Sequence, residues 1–421
     1  MRVTHRTGIK KETRKKNKYS FLEYFIVLLV LWESTSTFLS HSSIFKLLIT
    51  LFLILIFFYR KRKIEKEILF VLILVGSLIF IQGMIWGFSF VSLFTFSLFA
   101  VVLPYLAVKI VGIKYLKILS DIVFFSTLIA IPFYILQIFI PGFSGLLMDL
   151  EQRIRPEFAL DGRYSILIYT IATIPRFEPD TILRNFGMFH EPGAYAVFLV
   201  LAITVNLMIN DRPFDRKNLI LMIALISTFS TAGYLAMILV YTVYFFYIKR
   251  NNPQYLILAI IVLIPLLIYV ARLPFMTEKI LYHVETETDK DLTDKTSGRI
   301  LGARKALIVL QRYPLTGRGL TTASMEKDDY SEERAGYGFM AFFARLGVVL
   351  SIAFVYYFIR GMKRFAQNLT GNSKYWLLLL SGFIINLFSQ HFITTSIFIM
   401  IFYIGLLKVF KYSNFSFNKY R

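Results

Sequence analysis

Cysteine is absent from all 421 residues, which excludes disulfides and thiolate metal sites. Histidine is nearly as scarce, and five scattered residues do not spell a zinc-binding cluster. Charge is thin as well: charged residues make up 17% of the chain, where a soluble domain carries about a quarter. Acids number 26 against 47 lysines and arginines. The opening MRVTHRTGIKKETRKKNKYS lacks the apolar run and small-residue cleavage site of a secretory signal. The first apolar stretch, from Phe21 to Leu39, therefore reads as a retained span.

What fills the sequence instead is apolar. Hydrophobic residues make up 57%, and the mean hydropathy is +0.62. They come in blocks of about twenty, the length that crosses roughly 30 Å of hydrocarbon. The 43 Phe and 25 Tyr suit rings packed against lipid and at the headgroup level. The expectation is an all-α polytopic integral membrane protein of about 12 transmembrane helices with both termini cytoplasmic. The spans read as 20–39, 44–59, 66–87, 90–108, 118–140, 190–208, 218–230, 232–248, 254–272, 338–359, 374–390 and 393–410. The organisation is then a basic N-terminus (1–19), helices one to five (20–140), a first long outer loop (141–189) and helices six to nine (190–272). A second long outer loop with an amphipathic helix (273–337), helices ten to twelve (338–410) and a short C-terminus (411–421) complete it. The stretch 218–248 is long for one helix and short for two. Basic residues on both flanks make it go out and return, with a turn near Ser230-Thr231-Ala232-Gly233.

A net charge of +21 would suit a nucleic-acid partner, but the charge sorts by loop. Lysines and arginines dominate the N-terminus, the C-terminal end and the loops 60–65, 109–117, 209–217, 249–253 and 360–373, whereas the two long loops hold acids and bases in near-equal number. Positive charge stays inside and is attracted to anionic headgroups, so nucleic acid is not required. The expectation is a multi-pass membrane protein with its polar chemistry on the outer face. Loops as long as the two outer ones usually carry function.

The first outer loop ends in Arg184-Asn185-Phe186-Gly187-Met188-Phe189-His190-Glu191-Pro192-Gly193 and runs straight into span six. Pro192 suits the first turn of a helix, which puts Glu191 at the cap with His190 and Arg184 just outside. A carboxylate there can accept a proton from a sugar hydroxyl, and an arginine can hold phosphate as a bidentate fork. The plainer reading is a capping Glu and an Arg paired with Glu178 or Asp180. In the second loop Ser297 caps a helix that stops at Tyr313-Pro314. Ile300, Ala303, Ala306, Leu307 and Leu310 make one apolar stripe containing Arg299, with Lys305 and Arg312 pointing away. Arg299 there either binds an anion against the protein or snorkels to headgroups. Arg318 follows in the turn Tyr313-Pro314-Leu315-Thr316-Gly317-Arg318-Gly319, where glycines permit close backbone approach. Arg345 sits about two turns inside span ten, roughly 10 Å deep, where a charge faces a cavity or a partner. Glu23, Glu33 and Asp121 are the acids that could pair with it. Gln82, Gln137, Gln390 and His391 read as interhelical hydrogen-bond glue, with His391 near enough to the outer end of span twelve to join a site.

Taken in order, these pieces resemble the O-antigen polymerase and O-antigen ligase superfamily. The matching residues are Arg184 and Gly187 with Glu191-Pro192-Gly193 entering a span, the split hairpin at Ser230-Thr231-Ala232-Gly233, Gly298-Arg299, the 313–319 turn, and the span containing Gly347. Arg176 and Gly187 also fit the spacing of an arginine ten residues before a glycine described for some polymerases. Ligases of this superfamily place a histidine shortly before the span after the second loop, where this chain reads Arg334-Ala335-Gly336-Tyr337-Gly338-Phe339. The resemblance thus implies the polymerase branch, a Wzy-like polysaccharide polymerase similar to C-type glycosyltransferases. It implies transfer of a glycan from undecaprenyl pyrophosphate to another lipid-linked repeat unit, with no cofactor or metal. Glu191, with His190 second, would be the catalytic base. Arg184, Arg299, Arg318, Arg345 and Arg176 would bind pyrophosphate. The partners implied are the undecaprenyl-pyrophosphate-linked oligosaccharide, membrane lipids, a chain-length regulator and a flippase. An O-antigen ligase, a lipid-linked oligosaccharide flippase and a non-catalytic assembly partner stay open as alternatives.

Overall fold

The computed structural model describes residues 20–35, 39, 42–86, 90–154, 163–172, 183–272, 299–319, 339–389 and 395–407. Among these the chain is helical almost throughout. The exception is an antiparallel ribbon of Arg163–Ser165 (β1) and Thr170–Ala172 (β2), in the register Arg163 opposite Ala172. In chain order the helices are α1 (Phe21–Thr35), α2 (Ser43–Tyr59), α3 (Lys66–Trp86) and α4 (Phe90–Phe96), which continues through a π-helical stretch into α5 (Leu103–Val111). Then come α6 (Tyr115–Phe139), α7 (Phe143–Ile154), α8 (Pro192–Asn210), α9 (Arg216–Ser227), α10 (Thr231–Val243) and α11 (Pro253–Ala271). The last group is α12 (Arg299–Arg312), α13 (Phe339–Leu346), α14 (Val348–Thr370), α15 (Trp376–Ser389) and α16 (Ser396–Leu406).

Among the described residues, four helical runs are long and apolar enough to cross a membrane by length and composition: Lys66–Ile85, Phe94–Phe139, Pro192–Asn210 and Thr231–Ile248. Ser43–Tyr59, Ser373–Leu387 and Ser396–Leu406 are shorter apolar helices. The longest run is no single rod, because Gly112 at φ 73° turns the chain between α5 and α6. Exposed side chains such as Phe70, Ile73, Ile257 and Ile261 form the apolar exterior that lipid requires. At the centre stands α8, of whose apolar window 89% is buried, packed by α6, α9, α10 and α15. The 218–248 segment breaks at 228–230: α9 ends at Ser227, and the Ser230 hydroxyl caps α10 by accepting from Gly233 N–H.

Span ten departs from the expected single helix over 338–359. The structure makes two helices, α13 and α14, separated by Gly347 at φ 76° and ψ 169°. Only glycine adopts that backbone readily. Further along, α14 and α16 cross at their glycines. A Cβ on Gly361 would lie 2.0 Å from the Ile401 carbonyl oxygen, and one on Gly405 would lie 1.8 Å from that of Tyr357. Small residues that let backbones touch are how helices pack in lipid, where apolar burial gives no drive.

Contacts distinguish the two ends of the bundle. At one, Ser34 Oγ accepts from Ile397 N–H at 3.1 Å, and Ser396 Oγ donates to the Phe99 carbonyl at 3.3 Å. The end of α1, the start of α16 and the middle of the α4–α5 run meet there. At the other end, Arg60 donates to the Ile110 carbonyl at 3.2 Å and Glu65 N–H to Tyr105 Oη at 3.1 Å. Helix α3 begins at this second end and is 21 residues long, so it rises about 30 Å and delivers Gln82 near the first.

Candidate functional site

The head of α8 is built by backbone hydrogen bonds from a loop that cannot form a helix of its own. Gly187 at φ 54° turns the chain, and a Cβ there would meet the Tyr195 ring at 2.9 Å. Buried Asn185 holds the turn: its Oδ1 accepts from Gly187 N–H at 2.9 Å, while its N–H and Nδ2 donate to the Ser227 carbonyl and hydroxyl. Thr170 N–H donates to the Gly187 carbonyl at 2.7 Å, which ties the β ribbon to the same loop. Arg184 donates from Nε to the Thr228 carbonyl and from Nη2 to the Phe229 carbonyl, both at 3.0 Å. At least two of its five donors therefore close the C-terminal end of α9, where carbonyls lack helical partners.

Pro192 takes the first helical position, and Glu191 stands at the N-cap without a side-chain cap bond. His190 is anchored twice to the last residue of α1: its N–H donates to the Thr35 carbonyl at 3.3 Å, and its Nδ1 lies 3.0 Å from the same oxygen. A carbonyl only accepts, so Nδ1 is the donor in this contact. The Glu191 carboxylate lies 3.9 Å from Nε2. His190 and Glu191 therefore stand side by side at the head of α8, next to the end of α1.

A second group forms where the 313–319 turn docks into the break of span ten. Arg318 N–H donates to the Ala344 carbonyl and Val348 N–H to the Pro314 carbonyl, both at 2.8 Å. Both glycines are required at this contact. A Cβ on Gly317, at φ 63°, would lie 2.3 Å from the Arg345 carbonyl oxygen, and one on Gly347 equally close to that of Leu315. Buried Gln82 pins the joint from α3, donating through Nε2 to the carbonyls of Thr316 at 2.6 Å and Arg345 at 3.0 Å. Arg318 is 1% exposed and Arg345 half-buried. Helix α12 packs on α13 through Ala306, Val309 and Ala344, and brings in Lys305 at 2% exposure.

Three basic residues therefore stand on segments that touch: Lys305, Arg318 and Arg345. Lys305 corrects the expectation that it points away, and Leu307, expected in the buried stripe, is 44% exposed. The stripe is instead Gly302, Lys305, Ala306 and Val309. Docking on α13 decides the exchange: Ala306 and Val309 pack with Ala344, a face that takes Lys305 inward and leaves Leu307 out. The acids expected as partners for Arg345 are engaged elsewhere: Glu33 with Lys46 at 3.6 Å, Glu23 with Lys114 at 3.8 Å, and Asp121 with Lys117 and Lys217. Arg299 opens α12. Arg176, Gln390 and His391 lie outside the described residues. Gln137 accepts from Tyr169 Oη at 2.8 Å, so it ties α6 to the turn of the β ribbon, whereas the sequence implied another helix as its partner. Gln82 was legible only as a polar residue in a span, and nothing in the sequence marked Thr35.

Both groups stand at the same end of the bundle. His190 is fixed to the end of α1, and Arg345 is fixed through Gln82 to the end of α3. Residues 218–341 match the family model described as O-antigen ligase. The match spans α9 to the start of α13 and includes Arg299 and Arg318; residues 184–191 and Arg345 lie beyond it. Comparison with curated proteins and with solved structures gave no match. Residues 218–341 are thus similar to the O-antigen ligase family, which supports the resemblance read from the sequence.

Proposed function

We propose that this membrane protein is a polysaccharide polymerase, making O-antigen, capsule or exopolysaccharide, that joins undecaprenyl-pyrophosphate-linked repeat units at the outer face of the cytoplasmic membrane. The observation that carries the reading is the meeting of Arg318, Arg345 and Lys305 at a broken helix, at the same end as His190 and Glu191. Irregular backbone in a membrane is tolerated where it is enclosed by protein or lines a cavity, and clustered cations there suit a polyanion. The acceptor sugar hydroxyl attacks the anomeric carbon of the donor glycan, and the bond from that carbon to the pyrophosphate oxygen breaks. His190 Nε2 takes the hydroxyl proton. Arg318 and Arg345, with Arg299 at the head of α12, neutralise charge as it develops on the leaving pyrophosphate. Arg184, committed to the α9 carbonyls, shapes the loop that carries His190, and Arg176 would reach the same anion from the first loop.

The matched family's description favours a second reading, a ligase that moves finished glycan to a different acceptor. The two differ in acceptor only. In cells, Arg318→Ala, Arg345→Ala or His190→Ala should abolish polymer while the protein still accumulates in the membrane. Normal long chains from any one of these variants would remove that residue from the site. A deletion strain that keeps full-length polymer but fails to attach it would select the ligase reading.

A further inference from the structure

The far end of the bundle holds an open groove that the transfer reaction does not use. It lies between the 212–217 segment, which joins α8 to α9, and the start of α11, and its walls include Arg212, Arg216, Lys217, Gln254, Tyr255 and Leu258. Because α8 starts beside Thr35 and ends at Asn210, the groove stands about 30 Å from the His190 end. Its charges are unequally spent. Asp215 is satisfied from within: Oδ1 accepts from Asn218 N–H at 2.8 Å, and Asn206 and Asn210 donate to Oδ2 at 2.9 and 3.0 Å. Lys217 is turned inward onto Asp121 at 2.8 Å. Arg212 and Arg216 are exposed, and neither makes an ion pair among the described residues. Beyond the groove the exposed side chains become apolar, with Leu219 and Ile223 on α9 and Ile257 and Ile261 on α11.

We propose that this groove binds the phosphate of an anionic phospholipid from the leaflet at this end. Two guanidinium groups offer forked donors to one phosphate, and Gln254 and Tyr255 add neutral polar contacts. The apolar faces of α9 and α11 lie where the acyl chains of such a lipid would run. A soluble phosphate has no use for those faces, and so the lipid is favoured.

The test is native mass spectrometry of the full chain in detergent, titrated with phosphatidylglycerol or phosphatidylcholine. The wild type should bind one phosphatidylglycerol in preference to phosphatidylcholine. Arg212→Ala with Arg216→Ala should weaken that binding about thirty-fold, from roughly 1 kcal/mol per cation near a charged surface. Arg212→Lys with Arg216→Lys keeps the charge and should recover part of it, which guards against a folding defect. Lys374→Ala removes an exposed charge from the same end, outside the groove, and should leave binding unchanged. Equal lipid binding by the double alanine variant would overturn the proposal, as would an equal loss in Lys374→Ala. Competition by millimolar glycerol 3-phosphate as effective as by the lipid would identify a soluble ligand and overturn it too.

Discussion

Replacing Gly347 by alanine is expected to spring the 313–319 turn out of the broken helix. Two costs add. The backbone at φ 76° and ψ 169° strains an alanine by roughly 1–3 kcal/mol. The new Cβ would also lie 2.3 Å from the Leu315 carbonyl oxygen, so the segments must part by about an ångström to reach ordinary contact. That displacement weakens the bonds from Val348 N–H to Pro314 and from Arg318 N–H to Ala344, each worth about 1 kcal/mol. The sum, roughly 3 to 5 kcal/mol, raises the open population of the turn by about two to four orders of magnitude. The chain has no cysteine, so Thr316→Cys supplies a single thiol at the joint, and maleimide labelling in membranes reads its exposure. Thr316 is half-buried in the closed joint, so labelling should be faster in the Gly347→Ala background by the ratio of open to half-buried exposure, several-fold or more. Gly371 is the control: it has a similar φ of 73° but nothing within 4 Å of an added Cβ, so Gly371→Ala should leave labelling at Thr316Cys unchanged. Equal rates with Gly347 and Gly347→Ala would refute the interlock.

Arg184→Ala should lower thermal stability in detergent by about 2 kcal/mol, because two carbonyls at the end of α9 lose a charged donor; Arg184→Lys should recover less than half, since one ammonium cannot span both. Gly187→Ala should disturb the Tyr195 ring beneath it and reduce both stability and polymer, measured by melting and by chain-length gels. Gly405→Leu should prevent accumulation of folded protein, because α14 and α16 touch through backbone at that crossing; normal levels by membrane immunoblot would contradict the packing.

Apolar blocks were enough to place most helices, and short-range chemistry located several of their ends. Pro192 at the start of α8 and Ser230 at the cap of α10 were legible because caps are local signals. The break at Gly347 was not legible. A lone glycine in an apolar run is common in membrane helices, and this one is explained only by Leu315, more than thirty residues earlier. The burial of Lys305 and exposure of Leu307 were lost for a different reason. A helical wheel shows which residues share a face but not which face docks, and here packing on Ala344 of α13 decides it. Arg184 was readable as an important arginine, but its carbonyl partners lie over forty residues away. The contact of His190 with the Thr35 carbonyl was not legible either, because it joins residues far apart in the chain.

Glycosyl transfer from a lipid pyrophosphate at the His190 end can be measured with purified protein in liposomes, supplied with the host's undecaprenyl-pyrophosphate-linked repeat unit as the only glycan. Longer lipid-linked chains should form, with one undecaprenyl pyrophosphate released per bond made, and Arg345→Ala should lose both. Release without chain growth, or no turnover by wild-type protein that keeps its fold, would contradict that transfer.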